Sequence, residues 1–66
     1  MHYAVMYRSP KGDNIKLRPI YRSIEDAEDG IMDCNPWLSE DSIARTEDGS
    51  VFDLLDGSSF VVFRED

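Results

Sequence analysis

Residues 23–36 decide the fold, because this stretch carries helix signals at both of its ends. It reads Ser-Ile-Glu-Asp-Ala-Glu-Asp-Gly-Ile-Met-Asp-Cys-Asn-Pro. Ser23 followed three residues later by Asp26 resembles a capping box, with Asp in place of the usual Glu. Acids in the first turn also suit the positive end of the helix dipole. Because Pro36 disfavours helical geometry at Asn35, the sequence predicts a helix that begins after Ser23 and ends at Asn35.

This predicted helix has two different faces. At about 100° per residue, one stripe collects the small and apolar residues, which are Ile24, Ala27, Ile31 and Cys34. The opposite side collects the acids Glu25, Asp26, Asp29 and Asp33. We expect the first stripe to pack on the core, with Cys34 as a small buried residue, and the acids to meet solvent. Gly30 weakens the middle of the helix by about 1 kcal/mol relative to Ala.

The residues before the helix indicate a β-hairpin. His2 to Arg8 alternates with a period of two, which is typical of a strand. The cluster Ser-Pro-Lys-Gly-Asp-Asn at 9–14 predicts a loop. Asn14 to Tyr21 alternates again, with Ile15 on the same face as Leu17 and Tyr21, and Pro19 makes this an edge strand or breaks it late.

The residues after the helix indicate a meander of three strands. Asp48-Gly49 and Asp56-Gly57 are strong hairpin signals between strand-like segments. The expected strands are Ser42 to Glu47, Ser50 to Leu55 and Ser58 to Arg64. The residues from Val51 to Leu55 could instead form a helical turn. Between helix and meander, we expect Trp37 and Leu38 to fold back as a lid over the core.

These elements predict one α+β domain over residues 1–66, in the order ββαβββ. A mostly antiparallel sheet with a single helix on one face needs only one apolar face on each layer. That plan suits a chain of 66 residues, which buries only about 60% of the surface its unfolded form exposes.

Composition separates this chain from several other classes of protein. Hydrophobic residues make up 41% and aromatic residues 11%, which is too apolar for a disordered acidic tail. No apolar run approaches the roughly 20 residues that cross a bilayer, and the first residues lack the features of a signal peptide. Cys34 is the single cysteine and cannot form an internal disulfide. We therefore expect a soluble protein of the cytoplasm with no membrane partner.

The sequence gives little support to catalysis or to a bound metal. Nucleophilic catalysis needs a base beside the nucleophile, and the single histidine, His2, lies next to the chain start. One cysteine and one histidine fall short of the four ligands of a zinc site. A pocket with a supporting shell also needs more chain than this. We expect no enzymatic activity and no cofactor.

Two further ligand motifs are absent. A calcium loop starting at Asp33 would place Trp37, Leu38 and Ala44 where an acid, the glycine and the glutamate belong. The four glycines lie too far apart for a phosphate-binding loop. We therefore expect no metal.

Charge is distributed unevenly along the chain. The whole sequence carries 14 acids against 7 lysines and arginines, a formal charge of -7. Residues 1–22 hold five cations against one acid, a local charge of +4, whereas residues 23–66 hold 13 acids against two arginines, a local charge of -11. The overall sign opposes direct binding of nucleic acid.

The acids of the carboxyl-terminal part are the candidate binding residues. They are Glu25, Asp26, Glu28, Asp29 and Asp33 on the helix and Glu40, Asp41, Glu47 and Asp48 in loops and turns. One interpretation is that they only keep the protein soluble. The other is that carboxylates about 5 to 6 Å apart imitate a phosphate backbone and occupy a basic groove of a partner, with Trp37 or Tyr21 as an apolar anchor.

In size, acidity and compact α+β layout, the chain resembles the small acidic inhibitors of bacteriophages and mobile elements, including DNA-mimic and anti-CRISPR proteins. The resemblance implies a basic nucleic-acid-binding protein or complex as the partner, and the host cytoplasm as the location. We expect a monomer. The alternative is an accessory domain that forms a homodimer through a sheet edge such as Asn14 to Tyr21, although Lys16, Arg18 and Pro19 protect that edge.

Overall fold

The computed structural model describes residues 1–65 and has one helix and five strands. In chain order they are β1 (Tyr3–Arg8), β2 (Asn14–Tyr21), α1 (Ile24–Cys34), β3 (Ile43–Arg45), β4 (Gly49–Asp53) and β5 (Ser59–Arg64), with a short 3₁₀ turn at Glu40–Ser42 before β3. The α+β class and the order ββαβββ are confirmed.

The five strands form one antiparallel sheet in the order β2-β1-β5-β4-β3. The segment containing α1 carries the chain from β2 at one edge to β3 at the other. The last strand then enters the middle of the sheet, between β1 and β4. This insertion joins the amino-terminal hairpin to the carboxyl-terminal meander.

The core lies between α1 and one face of the sheet. Ala27 and Ile31 of the helix are buried against Val5, Phe52 and Val62 of three neighbouring strands. A ring of half-buried residues surrounds these five: Tyr3, Leu17, Tyr21, Ile24, Met32, Leu38, Ile43 and Phe60. The apolar stripe predicted from the sequence therefore packs on the sheet, except at its last member.

Both ends of α1 follow the sequence signals. The Ser23 hydroxyl accepts a hydrogen bond from the Asp26 backbone N–H at 3.1 Å, which caps the amino end. At the other end, the Asn35 side chain donates to the Ile31 carbonyl at 2.8 Å. Gly30 has a packing role, because a Cβ there would lie 2.9 Å from two ring carbons of Tyr21. The Tyr21 ring thus packs closely against the helix backbone.

The two side chains expected to be buried near the end of the helix are exposed. Cys34 is exposed, because the last turn of α1 borders an open crevice beside Leu17 and Tyr21, at the margin of the core. Trp37 is 73% exposed. The Leu38 N–H donates to the Asn35 carbonyl, and this turn directs Leu38 to the core and Trp37 to solvent. The lid prediction is right for Leu38 and wrong for Trp37.

The edge strand β2 is irregular. Ala4 pairs with Ile20 and Met6 pairs with Lys16, so three residues of β2 stand opposite Val5 alone. Pro19 lies in this bulge, where its missing N–H breaks no ladder bond. Ile15, predicted on the same face as Leu17 and Tyr21, is 55% exposed because it lies beyond the bulge, next to the loop that closes the hairpin.

The two Asp-Gly turns have different geometries. The Thr46 backbone N–H donates to the Gly49 carbonyl, so the first loop is Glu47-Asp48. Gly49 already belongs to β4, which therefore begins one residue earlier than the sequence predicts. In the second, Gly57 has a φ of +90°, and the chain between Leu54 and Ser58 makes a three-residue loop with a glycine bulge. β4 ends at Asp53, so the helical turn considered for Val51 to Leu55 is wrong.

Gly49 is required by the close approach of two strands. A Cβ at this position would overlap the Val62 carbonyl oxygen of β5. We expect Gly49→Ala to lower the free energy of unfolding by more than about 3 kcal/mol, or to prevent folding, because backbone atoms must move to make room. Urea unfolding followed by circular dichroism measures this.

The matched control is Gly12→Ala, where φ is +95° and no atom lies within 4 Å of the new Cβ. Only the strain of the left-handed backbone is added there, about 1 to 2 kcal/mol. Equal losses in the two variants would show that the contact between β4 and β5 is not the reason for Gly49.

Asp56 makes the β4–β5 turn sensitive to acid. Its carboxylate accepts hydrogen bonds from the Ser58 hydroxyl and the Ser58 backbone N–H, and these bonds hold the pKa of Asp56 below its ordinary value of 3.8. A lowered pKa in the folded state stabilises the fold above the ordinary value, and this contribution disappears as the pH falls through the lowered pKa.

We therefore expect the wild type to melt above Asp56→Asn at neutral pH, with the difference vanishing in strong acid. Thermal melts from pH 7 downward measure it. Ser58→Ala, which removes one donor, should reduce the acid sensitivity. A difference that stays constant across the whole range would contradict this role of Asp56.

Candidate functional site

Four acids of α1 face solvent, on the side of the helix away from the sheet. They are Glu25, Asp26, Asp29 and Asp33, and all four are exposed. Glu25, Asp29 and Asp33 follow one another at intervals of four residues, which makes them neighbours along one face. None of the four carboxylates has an ion pair within residues 1–65. The acidic helix face predicted from the sequence is therefore present without ion pairs, although Arg45 lies close enough to interact with the charge of Glu25.

Glu28 differs from the other acids of the helix. It is only 3% exposed, and its two carboxylate oxygens accept hydrogen bonds from Nε and Nη2 of Arg45 at 3.3 and 3.2 Å. These hydrogen bonds, with the charge of Glu28, raise the pKa of Arg45 above its ordinary value. Glu28 is a structural residue that ties α1 to β3, and it offers no free charge to a partner.

A groove lies between α1 and the segment that leads into β3. It has a volume of about 590 Å³ and is lined by Ile24, Glu25, Glu28, Asp29, Met32, Glu40 and Arg45. The pair of Glu28 and Arg45 forms part of its wall, and Glu25, Asp29 and Glu40 add three unpaired carboxylates. The groove thus brings together acids that are separated by up to fifteen residues in the chain.

The remaining predicted acids lie around β3. Asp41 is exposed in the 3₁₀ turn beside Glu40. Glu47 and Asp48 are exposed in the β3–β4 turn, at the other end of a strand of three residues, about 10 Å away. We call the eight exposed acids the acidic surface: Glu25, Asp26, Asp29, Asp33, Glu40, Asp41, Glu47 and Asp48.

The uneven charge of the sequence becomes a separation in space. β2 carries Lys16 and Arg18 at one edge of the sheet, and β3 with its acidic flanks forms the other edge. The two edges are four strand spacings apart, roughly 19 Å. The molecule therefore has a basic edge and an acidic edge, with the acidic helix face above the sheet.

Sequence reasoning missed the pairing of Glu28 with Arg45. One signal was available, since Glu28 lies four residues after Ile24 and three before Ile31, which places it beside the apolar stripe of the helix. An acid at such a position needs a partner. Nothing local identifies Arg45, because β3 meets the helix only through the fold.

A second crevice, about 440 Å³, lies beside the exposed indole of Trp37. Leu38, Leu54 and Leu55 supply its apolar wall, and Leu55 is fully exposed at the tip of the β4–β5 turn. Asp53 and Asp56 border it. The chain thus presents two large apolar side chains to solvent next to carboxylates.

The described residues contain neither a metal-binding cluster nor a membrane-spanning helix. No group of three or more His, Cys, Asp or Glu side chains within residues 1–65 is arranged to hold a metal ion. In the same part of the chain, α1 is too short and too polar to cross a membrane.

The pair of Glu28 and Arg45 gives a test of its structural role. We expect Arg45→Ala to leave the Glu28 carboxylate buried without a partner, which costs about 1 to 3 kcal/mol of unfolding free energy. Urea unfolding measures the loss. The control is Lys16→Ala, which breaks the exposed ion pair of Lys16 with Glu65 and should cost under about 0.5 kcal/mol. Equal, small losses in both variants would mean that Glu28 is free to bind other partners.

The site is assigned from the charge, burial and contacts of this chain's own residues. No protein-family model, curated protein or solved structure matches the chain.

Proposed function

We propose that this chain is a non-enzymatic inhibitor that places its acidic surface in a basic, nucleic-acid-binding site of a partner protein. The observation that carries the proposal is the set of exposed, unpaired carboxylates on α1 and around β3. The partner is a protein or complex that binds nucleic acid, and the inhibitor competes with that nucleic acid for the same site.

The carboxylates of α1 repel one another, which supports a role in binding. Glu25 and Asp29 are four residues apart, as are Asp29 and Asp33, and each such pair destabilises a helix by a few tenths of a kcal/mol. Asp33 also lies in the last turn, where the negative end of the helix dipole opposes a carboxylate. Residues that weaken the fold in this way are typical of a functional surface.

The geometry of the acids suits a site made for phosphates. Neighbouring carboxylates on one helix face are about 5 to 6 Å apart, of the same order as charges along a nucleic-acid strand. The acids of the groove and of the β3–β4 turn extend the charge beyond the helix. A basic groove would therefore meet several carboxylates at once.

Trp37 supplies an apolar anchor beside the charge. It is 73% exposed, and with Leu55 it borders a crevice flanked by Asp53 and Asp56. Exposed tryptophans of this kind often contribute most of the energy of an interface. The charge would speed association, and the indole would slow dissociation.

The basic edge determines which side of the molecule a positively charged partner approaches. Lys16 and Arg18 on β2 lie across the sheet from the acidic edge, so a positive partner repels one side of the molecule and attracts the other. We infer that β2 faces away from the partner in the complex.

The proposal agrees with the resemblance to small acidic inhibitors of bacteriophages and mobile elements. The protein would act in the cytoplasm of a host cell, on a defence complex such as a CRISPR effector or on another nucleic-acid enzyme. The alternative of a homodimer joined through a sheet edge has less support. β2 is interrupted by a bulge with Pro19, and β3 has only three residues to offer.

Capture followed by competition tests the proposal. The immobilised chain is exposed to a lysate of the producing cells from which nucleic acids have been removed. We expect to capture a protein that duplex DNA or RNA then displaces. Capture of nothing at low salt, or a captured protein that binds the chain and nucleic acid together, would contradict the proposal.

Matched variants then locate the contact on the captured protein. Glu25→Gln with Asp29→Asn should weaken binding about tenfold, because both acids line the groove. Asp13→Asn with Glu65→Gln changes the net charge equally, on the basic side of the molecule, and should leave affinity within about twofold. Equal losses in the two double variants would mean that only net charge matters.

A further inference from the structure

One face of the sheet is not covered by the helix. α1 packs on the face that carries Val5, Phe52 and Val62. Side chains alternate along a strand, so the residues next to these three point to the other side of the sheet. We call that side the open face.

The middle of the open face is apolar. The strand register aligns Met6, Val61 and Val51 in one row across β1, β5 and β4. These three side chains and Phe63 are half-buried, yet none of them is among the half-buried residues that pack against the core. The chain therefore exposes part of a contiguous apolar surface on its flat side.

The arrangement of this surface points to its occupant, and we propose that a second copy of this chain packs on the open face as a twofold-symmetric dimer. β5 is the central strand, with β1 on one side and β4 on the other. A twofold axis that runs parallel to β5 between two facing sheets places β1 of each copy over β4 of the other. Val61 then meets its own counterpart, and Met6 meets Val51.

The next row of the open face is shaped for the same symmetry. Phe63 of β5 stands between Ala4 of β1 and Gly49 of β4, and both small residues are buried. The rotation places Ala4 of one copy over Gly49 of the other. Because Ala4 and Gly49 are already covered within one chain, Phe63 is the residue of this row that keeps exposed surface, and the two Phe63 rings meet near the axis.

Charge at the end of the open face fits this arrangement. A third row contains Arg8 on β1, Ser59 on β5 and Asp53 on β4. The same rotation brings Arg8 of each copy over Asp53 of the other, twice in the dimer. Both side chains are exposed, and Asp53 has no ion pair within residues 1–65.

The size of the face predicts a weak dimer. Five strands span roughly 19 Å, and strands of five or six residues are about 17 to 20 Å long. Such a surface is smaller than the roughly 800 Å² per partner of a standard interface. We expect a dissociation constant in the micromolar range, in place of the monomer expected from the sequence.

The dimer does not depend on the proposed function. The two helices lie on the outer sides of the paired sheets, so both acidic helix faces remain accessible. Failure of the dimer would leave the inhibitor proposal intact, and the reverse is also true.

Sedimentation equilibrium of the full chain tests the dimer, at concentrations from about 10 µM to 1 mM and at about 0.15 M salt, where long-range repulsion is screened within about 8 Å. We expect a reversible dimer. Arg8→Asp and Asp53→Arg should each weaken it about tenfold, and the double exchange should restore an affinity near that of the wild type.

These two reversals separate a specific contact from an effect of net charge. Arg8→Asp makes each chain more negative and Asp53→Arg makes it less negative. General repulsion would therefore weaken the dimer of the first variant and tighten that of the second, which would overturn the proposed arrangement. A wild type that stays monomeric at the highest concentration would overturn it as well.

Two further variants complete the test. Val61→Asp places two carboxylates on the twofold axis and should abolish the dimer, with circular dichroism to confirm the fold. Asp29→Asn, on the far side of the helix, should leave the dimer unchanged. A dimer that survives Val61→Asp in a folded chain would contradict packing through the open face.

Discussion

One short helix packs on one side of the sheet, and this contact between the two layers forms the core. Ala27 and Ile31 reach Val5, Phe52 and Val62, and the small side chain at position 27 lets the helix lie close to the strands. A chain of 66 residues has enough apolar side chains for one such layer contact. The outer side of the helix and the far side of the sheet therefore both remain uncovered.

The fold also decides which acids are available to a partner. The sequence places five acids on the helix. One of them, Glu28, is buried and paired with Arg45 of β3, so it is not among the exposed acids. That pair fastens the helix to the edge strand. The acids left over cluster at one groove and one edge, whereas the basic residues of β2 lie at the opposite edge. The uneven charge along the sequence therefore appears in the structure as a basic edge at β2 and an acidic edge at β3.

Features set by neighbours in sequence could be predicted, and features set by the fold could not. Ser23 and Pro36 specify both ends of α1 through local backbone chemistry, and the bounds of β2 follow from alternation. The Asp48-Gly49 signal predicts a hairpin in the right part of the chain, but the observed loop is Glu47-Asp48, one residue earlier. The reason is that Gly49 is needed within β4, where its backbone packs closely against the Val62 carbonyl of β5. The exposure of Trp37 and the partner of Glu28 likewise depend on residues distant in the chain.

We propose that the acids on the outer side of α1 serve binding and weaken the fold that displays them. The most direct measurement is the free energy of unfolding of Asp29→Asn with Asp33→Asn, against the wild type, at low salt. Removing their mutual repulsion and the unfavourable position of Asp33 near the carboxyl end of the helix should stabilise the protein by a few tenths of a kcal/mol. A loss of more than about 0.5 kcal/mol would mean that these carboxylates support the fold and were not retained at its expense.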